Sequence, residues 1–206
     1  MSFFKRIFVF FFIINSSVLV LGQNKTKTFY FDENLSKKNS LLVKKSTIYN
    51  STLGYGFDYN SEESVKINDG YLYANTSVYF SVKLPEGNYK VDIVLGGKTP
   101  SCTTVKAESR RLMIRELYLG ANKIATETFL VNVRTPKINN QKSINIKSRE
   151  QHSLNWDDKL TLEFLGESAV KSIKITPVKN VTTIFIAGDS TVTDQGTEPW
   201  ASWGQF

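Results

Sequence analysis

The chain has one cysteine, Cys102, and one histidine, His152, among its 206 residues. A single thiol excludes an intramolecular disulfide, and the two counts together exclude a Cys- or His-rich zinc cluster. Neither covalent staples nor bound metal is expected to hold the fold, and no cofactor is expected. Scarce histidine also bears on catalysis, because a serine or cysteine nucleophile normally needs a histidine base. That base must be His152 or lie outside these residues, and His152, in a polar stretch beside Ser153, reads as a surface residue. With 5 prolines and 12 glycines there is no collagen-like or low-complexity segment. No dense arginine cluster and no RNA-binding aromatic motif is present, so nucleic acid is not an expected partner.

What is present is ordinary for a folded protein of one or two domains: 41% hydrophobic, 13% aromatic and 22% charged residues. Residues 1–22 place Lys5 and Arg6 before an apolar run from Ile7 to Ile14, and end at small Gly22. This pattern matches a secretory signal peptide. The alternative, a membrane anchor, needs about 20 apolar residues, and the run breaks at Asn15-Ser16-Ser17 long before that. The expectation is a secreted or periplasmic bacterial protein with no membrane partner after cleavage. Cleavage takes two of the 26 basic residues with it and leaves 24 against 19 acidic ones, a charge of +5. That mild excess is met by solvated lysines as readily as by an acidic polysaccharide.

From residue 28 to about 177 the dominant hydrophobic period is two, as half-buried strands require. In residues 78–84, Val78, Phe80, Val82 and Leu84 share one face. The turn Pro85-Glu86-Gly87-Asn88 follows, and Tyr89, Val91, Ile93 and Leu95 resume the alternation, which predicts a hairpin. A second pair is predicted from Arg111–Leu119 and 124–134. Leu112 and Ile114 keep one phase while Leu117 and Leu119 keep the other, so a bulge is expected near Arg115-Glu116. Lys159–Leu165 and 172–176 add further strands, and no stretch of helical period interrupts them. Many short strands over this length predict a β-sandwich spanning 23–178. Tyr55, Phe57, Tyr59, Tyr71, Tyr73 and Trp156 lie in or near loop-like sequence, where an exposed ring can stack on a sugar face. Tyr55, Tyr73 and Trp156 are the carbohydrate-binding candidates, against the plainer alternative that sandwich aromatics fill the core.

The composition changes after Pro177. Residues 181–187 form a continuous apolar run, as in a strand of an α/β sheet, and lead directly into Gly188-Asp189-Ser190-Thr191. Gly188 permits a tight turn, and Ser190 would stand where a strand ends and a helix begins, with N–H groups near its Oγ to hold an oxyanion. On spacing alone Gly-Asp-Ser is equally a loop turn. Residues 181–206 fall below the roughly 40 that usually fold unaided. The expectation is therefore an incomplete second domain.

The run from Thr183 through Gly188-Asp189-Ser190-Thr191 to Gln195, followed by Trp203-Gly204-Gln205, resembles the opening block of the SGNH, or GDSL, hydrolases. Within them it is most similar to the secreted bacterial rhamnogalacturonan acetylesterases. Residues 108–113, 131–136 and 154–158 also resemble the galactose-binding-like sandwich that precedes the catalytic domain in such enzymes. The resemblance implies that Ser190 is the nucleophile, that its own N–H is one oxyanion donor, and that Gly188 and Asp189 support the turn. It also implies that the remaining oxyanion donors and an Asp-x-x-His lie in later blocks, none of which is in this sequence. The implied activity is removal of acetyl groups from acetylated pectic polysaccharide, with the 206-residue chain itself inactive. The alternative is a secreted, non-catalytic carbohydrate-binding module. The expected fold is mainly β: a sandwich, then the first strand and turn of an α/β SGNH domain at 181–206.

Overall fold

The computed structural model describes residues 25–34, 40–148, 154, 156–184, 186–197 and 199–206. Segment 1–22, expected to be a signal peptide, and His152 lie outside the described residues. Among the described residues there are twelve strands: β1 (Lys27–Tyr30), β2 (Ser40–Leu42), β3 (Tyr55–Asp58), β4 (Lys66–Asn68), β5 (Tyr71–Ala74), β6 (Val78–Lys83), β7 (Gly87–Gly96), β8 (Ser101–Ala107), β9 (Arg111–Leu119), β10 (Ile124–Val133), β11 (Lys159–Leu165) and β12 (Ser168–Val178). They form two sheets. The seven-stranded sheet runs β10-β7-β12-β1-β2, with β4 and β5 attached through the β5–β12 pair, and the five-stranded sheet runs β3-β6-β11-β8-β9. The mainly-β sandwich expected from the period-two pattern is the fold observed.

The alternation decides which side chains meet between the sheets. Tyr89, Val91, Ile93 and Leu95 of β7 face Phe80, Val82, Leu160, Leu162 and Phe164 of the other sheet in one buried cluster. Phe80 sits at its centre, with ring centroids 5.1 Å from Phe29 and 5.8 Å from Phe57, both edge-on. These are geometries that the ring quadrupoles favour. Glycine is required where β10 starts beside the end of β7: Gly96 has φ of 99°, and a Cβ there would lie 2.1 Å from the Lys123 carbonyl oxygen.

Neither predicted strand pair is a hairpin. β6 pairs with β3 and β11, whereas β7 pairs with β10 and β12, so the turn at Pro85-Glu86 carries the chain from one sheet to the other. Likewise β9 pairs with β8 and β10 with β7, and residues 120–123 form a second crossing. The physical reason is common to both. Two amphipathic strands that follow one another can pair edge to edge or face each other across a core, and the period-two pattern is the same in either case.

The predicted bulge is present. The β8–β9 register passes from Thr103↔Leu117 to Val105↔Ile114, which puts one extra residue on β9. Glu116 takes the strain at φ of 43°, and its N–H donates to Thr104 Oγ1 at 3.0 Å. Strand β8 had no counterpart in the hydrophobic pattern, because its inward residues are Ser101, Thr103, Val105 and Ala107, small or polar though buried.

The strand expected at 181–187 is not formed. Its described residues take no regular structure, with Ile184 78% and Ile186 46% exposed. A strand of an α/β sheet needs neighbours at its edges to take its N–H and C=O groups. None of the described strands pairs with this segment.

Candidate functional site

The corner between β8 and β9, residues 108–111, is bound tightly to the central strand β11. The Glu108 N–H donates to the Thr161 carbonyl at 2.9 Å, and Glu108 Oε1 accepts the Thr161 N–H at 3.0 Å. Glu108 and Arg110 both have left-handed backbones, with φ of 53° and 62°. Glu108 is 4% exposed. Burial pushes its carboxyl up to about 8, and Asp157 acts in the same direction. The Thr161 N–H, Arg111 and Lys159 oppose this without cancelling it. At neutral pH the group is therefore chiefly a neutral acid, able to donate as well as accept.

Beside this corner lies a cleft of about 290 Å³. One wall belongs to the sandwich: Glu108 and Arg111 from the corner, Asn132 and Arg134 from the end of β10, and Trp156 from the loop that enters β11. Asn132 is held by donating from Nδ2 to Asn88 Oδ1 at 2.7 Å and accepting from Arg134 Nε at 3.0 Å. Trp156 is 37% exposed, on a backbone with φ of 66°. Two left-handed non-glycine residues, Glu108 and Trp156, thus line one opening, and strain of this kind concentrates at functional sites. Glu108 and Arg111, Asn132 and Arg134, and Trp156, which come from stretches far apart in sequence, meet here. An exposed indole beside fixed amide, guanidinium and carboxylic acid groups can stack on a sugar ring while bonding its hydroxyls.

The other wall is the C-terminal segment, through Thr183, Ile184, Ile186, Val192 and Asp194. It docks by polar contacts. Arg111 Nη2 meets Asp194 Oδ2 at 2.9 Å, while Arg110 Nη1 donates to the carbonyls of Gln195 at 3.2 Å and Trp200 at 2.9 Å. Within the segment, the Asp189 carbonyl accepts the N–H groups of Val192 and Thr193, each at 3.0 Å. Asp189 Oδ1 accepts the N–H and hydroxyl of Thr191 at 3.0 and 2.7 Å. These bonds hold the fully exposed Asp189 carboxyl below its usual value. Ser190 stands exposed at the head of this turn beside Gly188, which is also exposed. Its carbonyl is held by Gln195 Nε2 at 2.8 Å. Ser190 does not line the cleft, and none of the hydrogen bonds described reaches its hydroxyl.

The other predicted aromatics lie elsewhere. Tyr55 is in β3 with its ring 5.2 Å from Phe29, and Phe57 is fully buried. Tyr73 is in β5, where its hydroxyl accepts the Lys98 N–H at 2.9 Å and its ring covers Gly97; Tyr71 lies 6.0 Å from it. Tyr59 is exposed, but it helps to enclose Lys159, whose Nζ lies 4.8 and 4.9 Å from the Tyr49 and Tyr59 rings and 2.6 Å from Asp58 Oδ2. Burial alone would lower the Lys159 pKa, yet the bonds to Asp58 and Tyr59 raise it above its ordinary value. Lys159 therefore stays a cation and is no general base.

A larger open cleft of about 940 Å³ lies between the loops near Asp32, Lys44, Lys66 and Asn68. Its one aromatic residue, Phe31, is 1% exposed and offers no face for stacking. Among the described residues no group of three or more His, Cys, Asp or Glu is placed to hold a metal ion, and no helix is long and apolar enough to cross a membrane. Glu108, Arg111, Asn132 and Arg134 were not singled out by sequence reasoning. Their only signal was membership of the stretches that resemble a galactose-binding-like sandwich.

No family model and no curated protein matches the chain. Solved structures are similar to it. The X-ray structure of the Bacillus subtilis protein YXIM matches with a TM-score of 0.54 at 22% identity, over 88% of this chain and 50% of that one. A plant complex of the peptide RALF23 with FER and LLG2 gives 0.46 at 10% identity, over 82% and 43% of the two chains. The Podospora anserina GH26-CBM35 β-(1,4)-mannanase gives 0.38 at 11% identity, over 83% and 30%. The chain thus spans half the length of the YXIM chain, and the likeness is one of fold.

Proposed function

We propose that the sandwich binds carbohydrate in the cleft around Trp156, as part of an exported carbohydrate-active protein. The observation that carries this reading is the cleft itself: a partly exposed tryptophan lines it together with polar side chains drawn from two other stretches of the sandwich. Its volume of about 290 Å³ is at the small end of ligand sites and suits one or two sugar rings. Stacking on one ring contributes roughly 1–2 kcal/mol, so a weak, high-micromolar to millimolar affinity is expected. Calorimetry with rhamnogalacturonan and pectin oligosaccharides tests it. Heat of binding should vanish in Trp156→Ala and survive in Tyr55→Phe. No heat with any saccharide would overturn the reading.

A second reading concerns the C-terminal segment: that it is the nucleophile-bearing block of an SGNH-type esterase which deacetylates pectic polysaccharide. The turn favours it, since Asp189 organises Thr191, Val192 and Thr193 by hydrogen bonds and leaves Ser190 presented at its head. Without a base the serine hydroxyl is a poor nucleophile, so the 206-residue chain should hydrolyse acetyl esters no faster than its Ser190→Ala variant. A longer protein that supplies Asp-x-x-His should be active and lose that activity on Ser190→Ala. Full activity of that variant would remove Ser190 from the role.

A further inference from the structure

The described residues of the C-terminal segment join no strand ladder, and several of its largest apolar side chains are exposed. Polar contacts attach it, and four of the hydrogen bonds that order it are made by one side chain, Gln205. This side chain is 3% exposed, and every hydrogen bond it can make is used. Nε2 donates to the Ser109 carbonyl at 2.6 Å and to the Gln195 carbonyl at 3.1 Å. Oε1 accepts the N–H groups of Gln195 at 3.0 Å and Ser202 at 2.8 Å. A glutamine has two donors and two acceptor sites, so none is spare. One side chain thus ties the sandwich corner to two points of the segment, and Gln195 extends the tie to the Ser190 turn through the Ser190 carbonyl.

Gln205 does not line the cleft, but Val192 and Asp194 do, and both belong to the segment it anchors. We infer that Gln205 is a positioning residue for the carbohydrate cleft, holding the C-terminal segment on the sandwich so that the segment forms the second wall of the site. The inference rests on the carbohydrate reading of that cleft. Two consequences follow from linkage. If only the docked state presents both walls, the apparent dissociation constant is the intrinsic one divided by the docked fraction. Reciprocally, ligand must favour docking by the same factor.

The test compares the native 206-residue chain with Gln205→Met, which keeps the side-chain volume and loses all four hydrogen bonds. A second variant is Arg110→Gln, which loses the contacts to the Gln195 and Trp200 carbonyls; Arg110 also lies outside the cleft lining. Rhamnogalacturonan oligosaccharide is the probe, with affinity read by titration and docking by amide hydrogen exchange of 189–206. Both variants should speed exchange in the segment and weaken binding, by about tenfold if the docked fraction falls to a tenth. Saturating oligosaccharide should slow exchange in the native segment. Faster exchange with unchanged affinity would overturn the inference, as would unchanged exchange in Gln205→Met. If no saccharide binds the native chain, the carbohydrate reading falls and the linkage with it, while exchange alone still reports whether Gln205 holds the segment.

Discussion

The sandwich and the C-terminal segment use apolar residues in opposite ways. In the sandwich, Phe29, Phe57, Phe80, Phe164, Leu160 and Leu162 are fully buried between two hydrogen-bonded sheets. In the segment, Ile184, Trp200, Trp203 and Phe206 are 78%, 70%, 60% and 81% exposed. Apolar composition alone does not make a core. Strand ladders in the sandwich fix which faces meet, whereas the described residues of the segment join no sheet and are held to the 108–111 corner by arginine and glutamine contacts. The cleft lies on the seam between these regimes, with a rigid wall on one side and a tethered wall on the other.

The sharpest way to break this contrast is to remove apolar mass from each region. Phe80→Ala, at the centre of the ring cluster, should cost about 3–5 kcal/mol, read as a lower urea midpoint. Phe206→Ala, on the exposed segment, should stay within about 0.5 kcal/mol of the native chain. Equal losses would mean that the segment is part of the core.

A smaller effect concerns the carboxylic acid at the seam. In the unfolded chain Glu108 loses its proton near the ordinary 4.5, and in the folded chain only at about 8. Between those values the folded state retains a proton that the unfolded state has released, so this group makes stability fall as pH rises. Below the window both states are protonated, and above it both are ionised. Glu108→Gln keeps an acceptor for the Thr161 N–H and removes the charge. Its stability relative to the native chain should be near zero at pH 4 and rise by a few kcal/mol at most by pH 9. A difference that does not change with pH would contradict the buried-acid assignment.

Smallest is Arg111→Gln. Its ion pair with Asp194 joins side chains that are 36% and 15% exposed, so global stability should change by less than about 1 kcal/mol. Amide exchange in 189–197 should nevertheless rise, because the same pair tethers the segment.

The sandwich was legible because its inward faces alternate strictly: Leu160, Leu162 and Phe164 in β11 and Ile173 and Ile175 in β12 stand where the period placed them. The β9 bulge was legible as a change of phase between Ile114 and Leu117. Sheet membership was not, since a turn such as Pro85-Glu86 serves a hairpin and a crossing between sheets alike. Strand β8 was hidden by small and polar inward residues. The site was legible only in part. Trp156 stood out as a ring in loop-like sequence, but its partners Asn132 and Arg134 come from a strand end, and Glu108 and Arg110 owe their placement to left-handed backbones that nothing in their residue types announces.

The claim that carbohydrate is held at the seam is tested most directly by the indole N–H signals of a nitrogen-labelled chain, which contains only three tryptophans. On titration with rhamnogalacturonan oligosaccharide, the Trp156 indole and the amides of Asn132 and Asp194 should shift together, while those of Lys44 and Lys66 stay in place. Shifts confined to Asp32, Lys44, Lys66 and Lys98 in the larger cleft, with the Trp156 indole unmoved, would contradict the account.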